Sequence, residues 1–233
     1  MRIILLTLFL FVSNLGLSQN PYHITIDKTS GLPSNSVYDI FQDSKGFMWF
    51  ATGKGLCRYD GNNFKTFTAD FQTSKSGSCI AEDAFGRIWY ANFDGFLYYV
   101  EKGSLKALPQ KTSLGYYRFG IIQNDLFLIQ PEAILVYDLK SLKVKAKHII
   151  NDKEVRFCYA TKEKFYVLGN CLYELGNKNG IKKYKLPEDF YAEIITPIIN
   201  TWEEKIIINS KSTANYYSFE KGKFSKFKLN NSI

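Results

Sequence analysis

Proline, methionine and histidine are scarce in this chain, with six, two and two copies in 233 residues. So few prolines, and no low-complexity tract, disfavour a disordered or linker-like protein. His23 and His148 lie far apart and lack recognisable partners. The four cysteines, Cys57, Cys79, Cys158 and Cys171, show no close paired spacing. No metal and no cofactor are therefore expected. The cysteines sit in apolar runs and read as small buried hydrophobes. A Cys158–Cys171 bridge stays open as the minority reading, since the export argued below permits disulfides. There is no GxSxG, no HExxH and no phosphate-binding glycine loop, so the chain reads as non-catalytic. No stretch repeats a 3.6-residue apolar period, which argues against helical architectures. Beyond the first dozen residues no apolar run is long enough to span a membrane.

Aromatic residues are abundant instead: 19 Phe and 16 Tyr contribute to an aromatic fraction of 16%. Combined with recurring Gly-bearing turns, that load favours strands. The N-terminus carries a separate message. Arg2 gives a positive start, Ile3 to Val12 is apolar apart from Thr7, and Gly16 and Ser18 sit at the −3 and −1 positions of a small-residue cleavage site. Residues 1–18 read as a secretory signal peptide, leaving residues 19–233 as a mature chain without a membrane segment, in the periplasm or outside the cell. The formal net charge of +8 reads as a diffuse lysine excess that aids solubility, with attraction for an acidic ligand as the functional alternative. Export disfavours nucleic acid as a partner.

Internal periodicity decides the fold class. Asp43, Gly46, Trp49 and Ala51 recur in register as Asp83, Gly86, Trp89 and Ala91, and Gly55 recurs as Gly95. Weaker copies centre on Phe127, Tyr166 and Ile207, so successive centres are separated by 40, 38, 39 and 41 residues. Each unit divides into four short strands. Asp43-Ser44-Lys45-Gly46 turns between the first two, Gly53-Lys54-Gly55 makes the hairpin to the third, and Asp60-Gly61-Asn62 leads to the fourth. The run Phe47 to Ala51 is apolar on both faces, as a strand covered on both sides must be. Four strands per roughly 40 residues is a propeller-blade signature. The expectation is an all-β β-propeller of four-stranded antiparallel blades, at about 35–68, 77–108, 116–147, 155–186 and 193–229. The ring is expected to be incomplete. A five-blade ring closed by an edge strand at Tyr22 to Ile26 is the alternative. An open ring exposes edges that invite association, a homodimer included.

Gly31-Leu32-Pro33-Ser34-Asn35-Ser36-Val37, then Gln42-Asp43 through Gly46, Trp49 and Thr52, then Gly55-Leu56-Cys57-Arg58-Tyr59-Asp60-Gly61, resembles the two-component regulator propeller repeat. The second unit keeps the Asp, Gly and Trp but has Asn92 where the pattern has Thr. It has Phe96 to Tyr99 where the pattern ends in Arg-Tyr-Asp-Gly. What the resemblance implies is an extracytoplasmic sensor propeller that binds an oligosaccharide or similar ligand. It would relay the signal to a kinase or transcription module lying in the longer protein. The competing readings are a polysaccharide-active propeller enzyme, a lyase or glycosidase, and a protein-interaction propeller.

Asp43 and Asp83 read as turn formers rather than paired acids, and Trp49 and Trp89 as core rather than sugar platforms. Ligand contacts are expected at one end of the ring. Lys54, Phe93 and Asp94 in the second-to-third-strand hairpins are the candidates, with Tyr116 and Arg118 as a second cluster.

Overall fold

A computed structural model of the chain describes residues 23–110, 119–130, 132–153, 155, 157–176, 180–190, 199–202, 205–210 and 215–227. The leader read at residues 1–18, and the candidates Tyr116 and Arg118, lie outside the described residues.

Among the described residues, five four-stranded antiparallel sheets follow one another along the chain. The first holds β1 (Val37–Gln42), β2 (Met48–Thr52), β3 (Gly55–Tyr59) and β4 (Phe64–Phe67). The second holds β5 (Gly77–Glu82), β6 (Ile88–Asn92), β7 (Leu97–Glu101) and β8 (Ser104–Ala107). The third holds β9 (Phe119–Ile122), β10 (Asp125–Gln130), β11 (Ala133–Asp138) and β12 (Lys143–Ile149). The fourth holds β13 (Phe157–Ala160), β14 (Lys164–Leu168), β15 (Cys171–Gly176) and β16 (Lys182–Lys185). The fifth holds β17 (Ile199–Trp202), β18 (Lys205–Ser210), β19 (Asn215–Glu220) and β20 (Lys223–Phe227). Hydrogen-bonded order equals chain order in every sheet. The first strands of successive sheets lie side by side, β1 by β5, β5 by β9, β9 by β13 and β13 by β17. The sheets are thus blades of a β-propeller, each with its first strand innermost and its fourth outermost.

Apolar residues on both faces of the second and third strands make this arrangement cohere. Every residue of β6 is buried. Trp49 and Ala51 of the first blade meet Ile80, Ile88, Tyr90 and Tyr98 of the second. Trp89 and Ala91 of the second meet Leu126, Leu128 and Tyr137 of the third. Phe127 and Ile129 then meet Phe165, Val167 and Tyr173. Tyr166 and Leu168 meet Ile206, Ile208, Tyr217 and Phe219. Each large side chain so covered is worth about 1.5–3 kcal/mol as an upper estimate. The residues picked out by the 40-residue period, Trp49, Trp89, Phe127 and Tyr166, all point at the following blade. Ile207 belongs to the opposite face from Ile206 and Ile208 and is half-buried.

The stretch before the first blade differs from the closing edge strand considered above: His23–Ile26 forms no strand. Ile26 and Leu32 instead cover Phe50 and Cys57 on the outward face of blade one. Asp27 caps a short 3₁₀ turn, Lys28–Ser30, and Gly31 follows at φ 106°. A side chain there would be strained and would crowd the ring of Phe64, with a Cβ at 2.9 Å. All four cysteines remain thiols, so no Cys158–Cys171 bridge forms. The inner strands β1 and β5 each carry a bulge, at Val37/Asp39 and Ser78/Ile80. The second is held from the first, because Asp39 Oδ2 accepts the Ile80 amide at 2.7 Å.

Candidate functional site

Each blade has two ends, and the sequence spends its motif residues differently on them. The turns between first and second strands occupy one end. There the carboxylate of Asp43 accepts the amides of Lys45 and Phe47 at 3.0 and 2.9 Å and the indole N–H of Trp49 at 2.7 Å. Gly46, at φ 86°, completes the turn by donating to the Asp43 carbonyl. Asp83 repeats this with Phe85, Arg87 and Trp89 at 2.9, 3.0 and 2.8 Å. It also receives Arg87 Nε at 2.6 Å, while Arg87 Nη2 donates to the Leu139 carbonyl of the third blade. The guanidinium lies over Phe85, Trp89 and Tyr99, at 4.9, 5.6 and 5.8 Å from their centroids. These carboxylates are consumed by folding and by joining blades. Sequence reading had not singled out Arg87, whose neighbour across the blade joint is 52 residues away.

The opposite end gathers the hairpins between second and third strands and the lead-ins to the inner strands. Gly53 N–H donates to the Ser36 carbonyl at 2.9 Å, and Phe93 N–H donates to that of Ser76 at 2.9 Å. The two blades are tied together there by Ser76 Oγ, which donates to the Gly53 carbonyl at 3.0 Å. Lys54 stands exposed at the first hairpin tip, its amide donating to Thr52 Oγ1 at 3.1 Å. Phe93, half-buried, meets Tyr38 of β1 edge-on at 5.1 Å. Tyr38 is 51% exposed. Phe71, in the loop leading to β5, is 58% exposed and stacks on Tyr98 with centroids 6.0 Å apart.

Asp94 is more constrained than its hairpin position suggests. Its carboxylate accepts the Tyr98 hydroxyl at 2.8 Å and the Phe96 amide at 3.1 Å. Burial, then the hydrogen bond to Asp94, pushes the Tyr98 phenol well above its ordinary value. Tyr98 therefore stays a neutral donor. Asn92, the departure from the repeat's Thr, keeps the hairpin bond by accepting the Asp94 amide at 3.0 Å, as Thr52 accepts that of Lys54. It also donates to the Ser74 carbonyl at 2.9 Å, pinning the loop that presents Phe71.

The structure thus brings Lys54, Phe93 and Asp94 to one end of adjoining blades and adds Tyr38 and Phe71, which sequence reading missed. Tyr38 falls inside an ordinary-looking strand run. Only the blade geometry leaves its ring exposed on the bulged inner strand, against Phe93 of the next blade. Exposed aromatic faces beside a lysine and hydrogen-bonding backbone suit a polar, ring-shaped ligand with apolar faces. Among the described residues no group of three or more His, Cys, Asp or Glu could hold a metal. At the other end, between blades four and five, a cleft of about 970 Å³ has ion pairs in its wall: Lys164 with Glu174 at 3.1 Å and Lys205 with Glu220 at 3.8 Å.

Comparison with known proteins agrees with this architecture. The family model described as two component regulator propeller matches residues 31–54, the lead-in and inner half of blade one. No curated protein matches the chain. Among solved structures, the extracellular domain of a protein described as a hybrid two component system of B. thetaiotaomicron is similar. It has TM-score 0.64 and 19% identity over 87% of this chain and 31% of that one. A second such domain from the same organism has TM-score 0.67 and 16% identity over 87% of this chain and 30% of its own. The chain therefore spans about a third of those domains. The virginiamycin B lyase of Staphylococcus aureus is similar at TM-score 0.68 and 12% identity, over 84% of this chain and 71% of that one. At these identities the likeness is one of fold. Blade one carries the regulator-propeller repeat, and the five sheets are propeller blades like those of the extracellular two component system domains.

Proposed function

We propose that this chain is the ligand-recognising propeller of an exported sensor, taking an oligosaccharide at the mouth formed by blades one and two. Its signal passes to a kinase or transcription module in the longer protein. The observation that carries this reading is the Tyr38–Phe93 pair, with Tyr38 half out in solvent, at the end of adjoining blades that also carries the exposed Lys54 hairpin. The regulator-propeller repeat of blade one supports the sensor role. The leader at residues 1–18, with Gly16 and Ser18 at the cleavage positions, supports export. Tyr116 and Arg118, immediately before β9 in sequence, stay in the proposed site as candidates read from the sequence.

Sugar rings stack their apolar faces on aromatic side chains, while lysine and backbone groups bind their hydroxyls. Asp94 contributes by holding Tyr98 and the hairpin in place. The lyase alternative rests on likeness of fold alone and carries no residue role to this chain.

Calorimetry of the full chain against a panel of neutral and acidic oligosaccharides tests the proposal. One glycan should bind, and Tyr38→Ala and Lys54→Ala should each weaken it about tenfold without loss of the folded state. Binding that both substitutions leave unchanged would remove the mouth from consideration. Turnover of the glycan would favour the enzyme reading.

A further inference from the structure

The outermost strands carry a charge pattern unrelated to the mouth. β12, β16 and β20 read KVKAKHI, KKYK and KFSKF: eight lysines in sixteen residues and no carboxylate. Their neighbours β11, β15 and β19 add only Asp138, Glu174 and Glu220. The outermost strands of blades one and two, FKTF and SLKA, hold two lysines in eight residues.

Lysine on an edge strand guards against edge-to-edge pairing. All five outer strands present the same kind of edge, so protection alone does not explain twice the density on three of them. Part of the excess is matched locally. Lys145 meets Asp125 at 2.6 Å, Lys185 approaches the exposed Glu188 at 3.7 Å, and Lys226 of β20 pairs with Asp189. Lys143, Lys147, Lys182 and Lys183 are exposed and make no ion pair with a described residue. Lys183 also lies 5.8 Å from the centre of the Tyr173 ring.

We infer that the rim of blades three to five binds a flexible linear polycarboxylate, a polyuronate chain bearing one carboxylate per sugar. Its partner follows from shape and from cation type. The inner strands lie side by side while the outer strands fan apart, so the three basic edges stand on a convex rim. A flat anionic bilayer touches only part of such a rim, whereas a flexible chain follows it. The cations are all ammonium groups on mobile stems. They lack the guanidinium forks that grip phosphate or sulfate in bidentate fashion. The unpaired ammonium groups of β12 and β16 are separate point charges on neighbouring outer strands, which suit a flexible chain of spaced carboxylates. This rim is separate from the mouth, and the inference does not depend on what binds there.

The test uses the full chain, size-fractionated polygalacturonate, neutral dextran and phosphatidylglycerol vesicles. Binding to polygalacturonate should rise with chain length and fall linearly with log salt as counterions are released. The quadruple variant K143Q/K147Q/K182Q/K183Q should bind at least tenfold more weakly and with a shallower salt slope. The control K65Q/K106Q, on the rims of blades one and two, should bind like the parent. Equal loss in both variants, equal binding to dextran, or preference for vesicles over polymer each overturns the inference. A quadruple variant that aggregates while its soluble fraction keeps full affinity shows that the lysines guard edges and nothing more.

Discussion

At the joint between blades two and three, Asp83 gathers the indole of Trp89, two backbone amides and the guanidinium of Arg87, and Arg87 reaches across to the Leu139 carbonyl. At the next joint the corresponding residue is Phe127, stacked on Phe165 with centroids 5.1 Å apart and planes at 25°. Both joints bury one blade against the next, but on different terms. The polar device works only with a carboxylate, a glycine and an indole N–H at fixed spacing, so it leaves a sequence signature. Stacked apolar rings accept many residues of suitable shape, so the signature fades while the architecture persists.

Removing the polar device should have the largest effect. Asp83→Ala leaves a buried guanidinium without its carboxylate and an indole N–H without its acceptor, at a cost of about 3–5 kcal/mol. Chemical denaturation followed by Trp fluorescence would read it. The comparison sharpens with shape-conserving changes. Asp83→Asn keeps the volume but loses the charge, and should cost about 1.5–3 kcal/mol. Phe165→Leu at the apolar joint should cost less than about 1.5 kcal/mol. Equal costs for these two would erase the distinction between the joints.

Alkaline pH should act on other joints of the same molecule. Burial raises the phenols of Tyr90 and Tyr98 between blades one and two, and of Tyr166 and Tyr173 further along, above their ordinary value near 10. The raised folded-state values mean this stabilisation is complete below pH about 10 and is lost as pH climbs beyond it. A denaturation midpoint that held steady through that range would contradict the burial of these groups. The smallest stability effect belongs to the mouth. Tyr38→Ala removes a half-exposed ring and should change stability by no more than about 0.5 kcal/mol, whatever it does to binding.

The legibility of the chain follows the same division. Blade one announces itself through Asp43, Gly46, Trp49 and Gly55, and blade two through Asp83, Gly86, Trp89 and Gly95, because turn conformation and indole donation demand those residues. Blades three to five were visible only as a period, since Phe127, Tyr166 and Ile207 share nothing but bulk. Lys54, Phe93 and Asp94 were readable as hairpin residues, and hairpins of one kind fall at one end of a propeller. Tyr38 and Phe71 were not. Burial in a strand or loop is decided by what the neighbouring blade covers, and no local pattern records it. Arg87 was hidden for the same reason: an exposed-looking turn residue becomes a buried joint once the third blade arrives.

The sequence by itself determined the repeat, the four-strand blade and the turn chemistry, because these rest on backbone conformation and on alternation within some 40 residues. Only the tertiary structure decided which carboxylates are spent on joints, which rings stay exposed at the blade ends, and which lysines of the outer strands are left without an ion-pair partner among the described residues. Those outcomes depend on contacts between residues dozens of positions apart, where burial and proximity are properties of the assembled blades rather than of any segment.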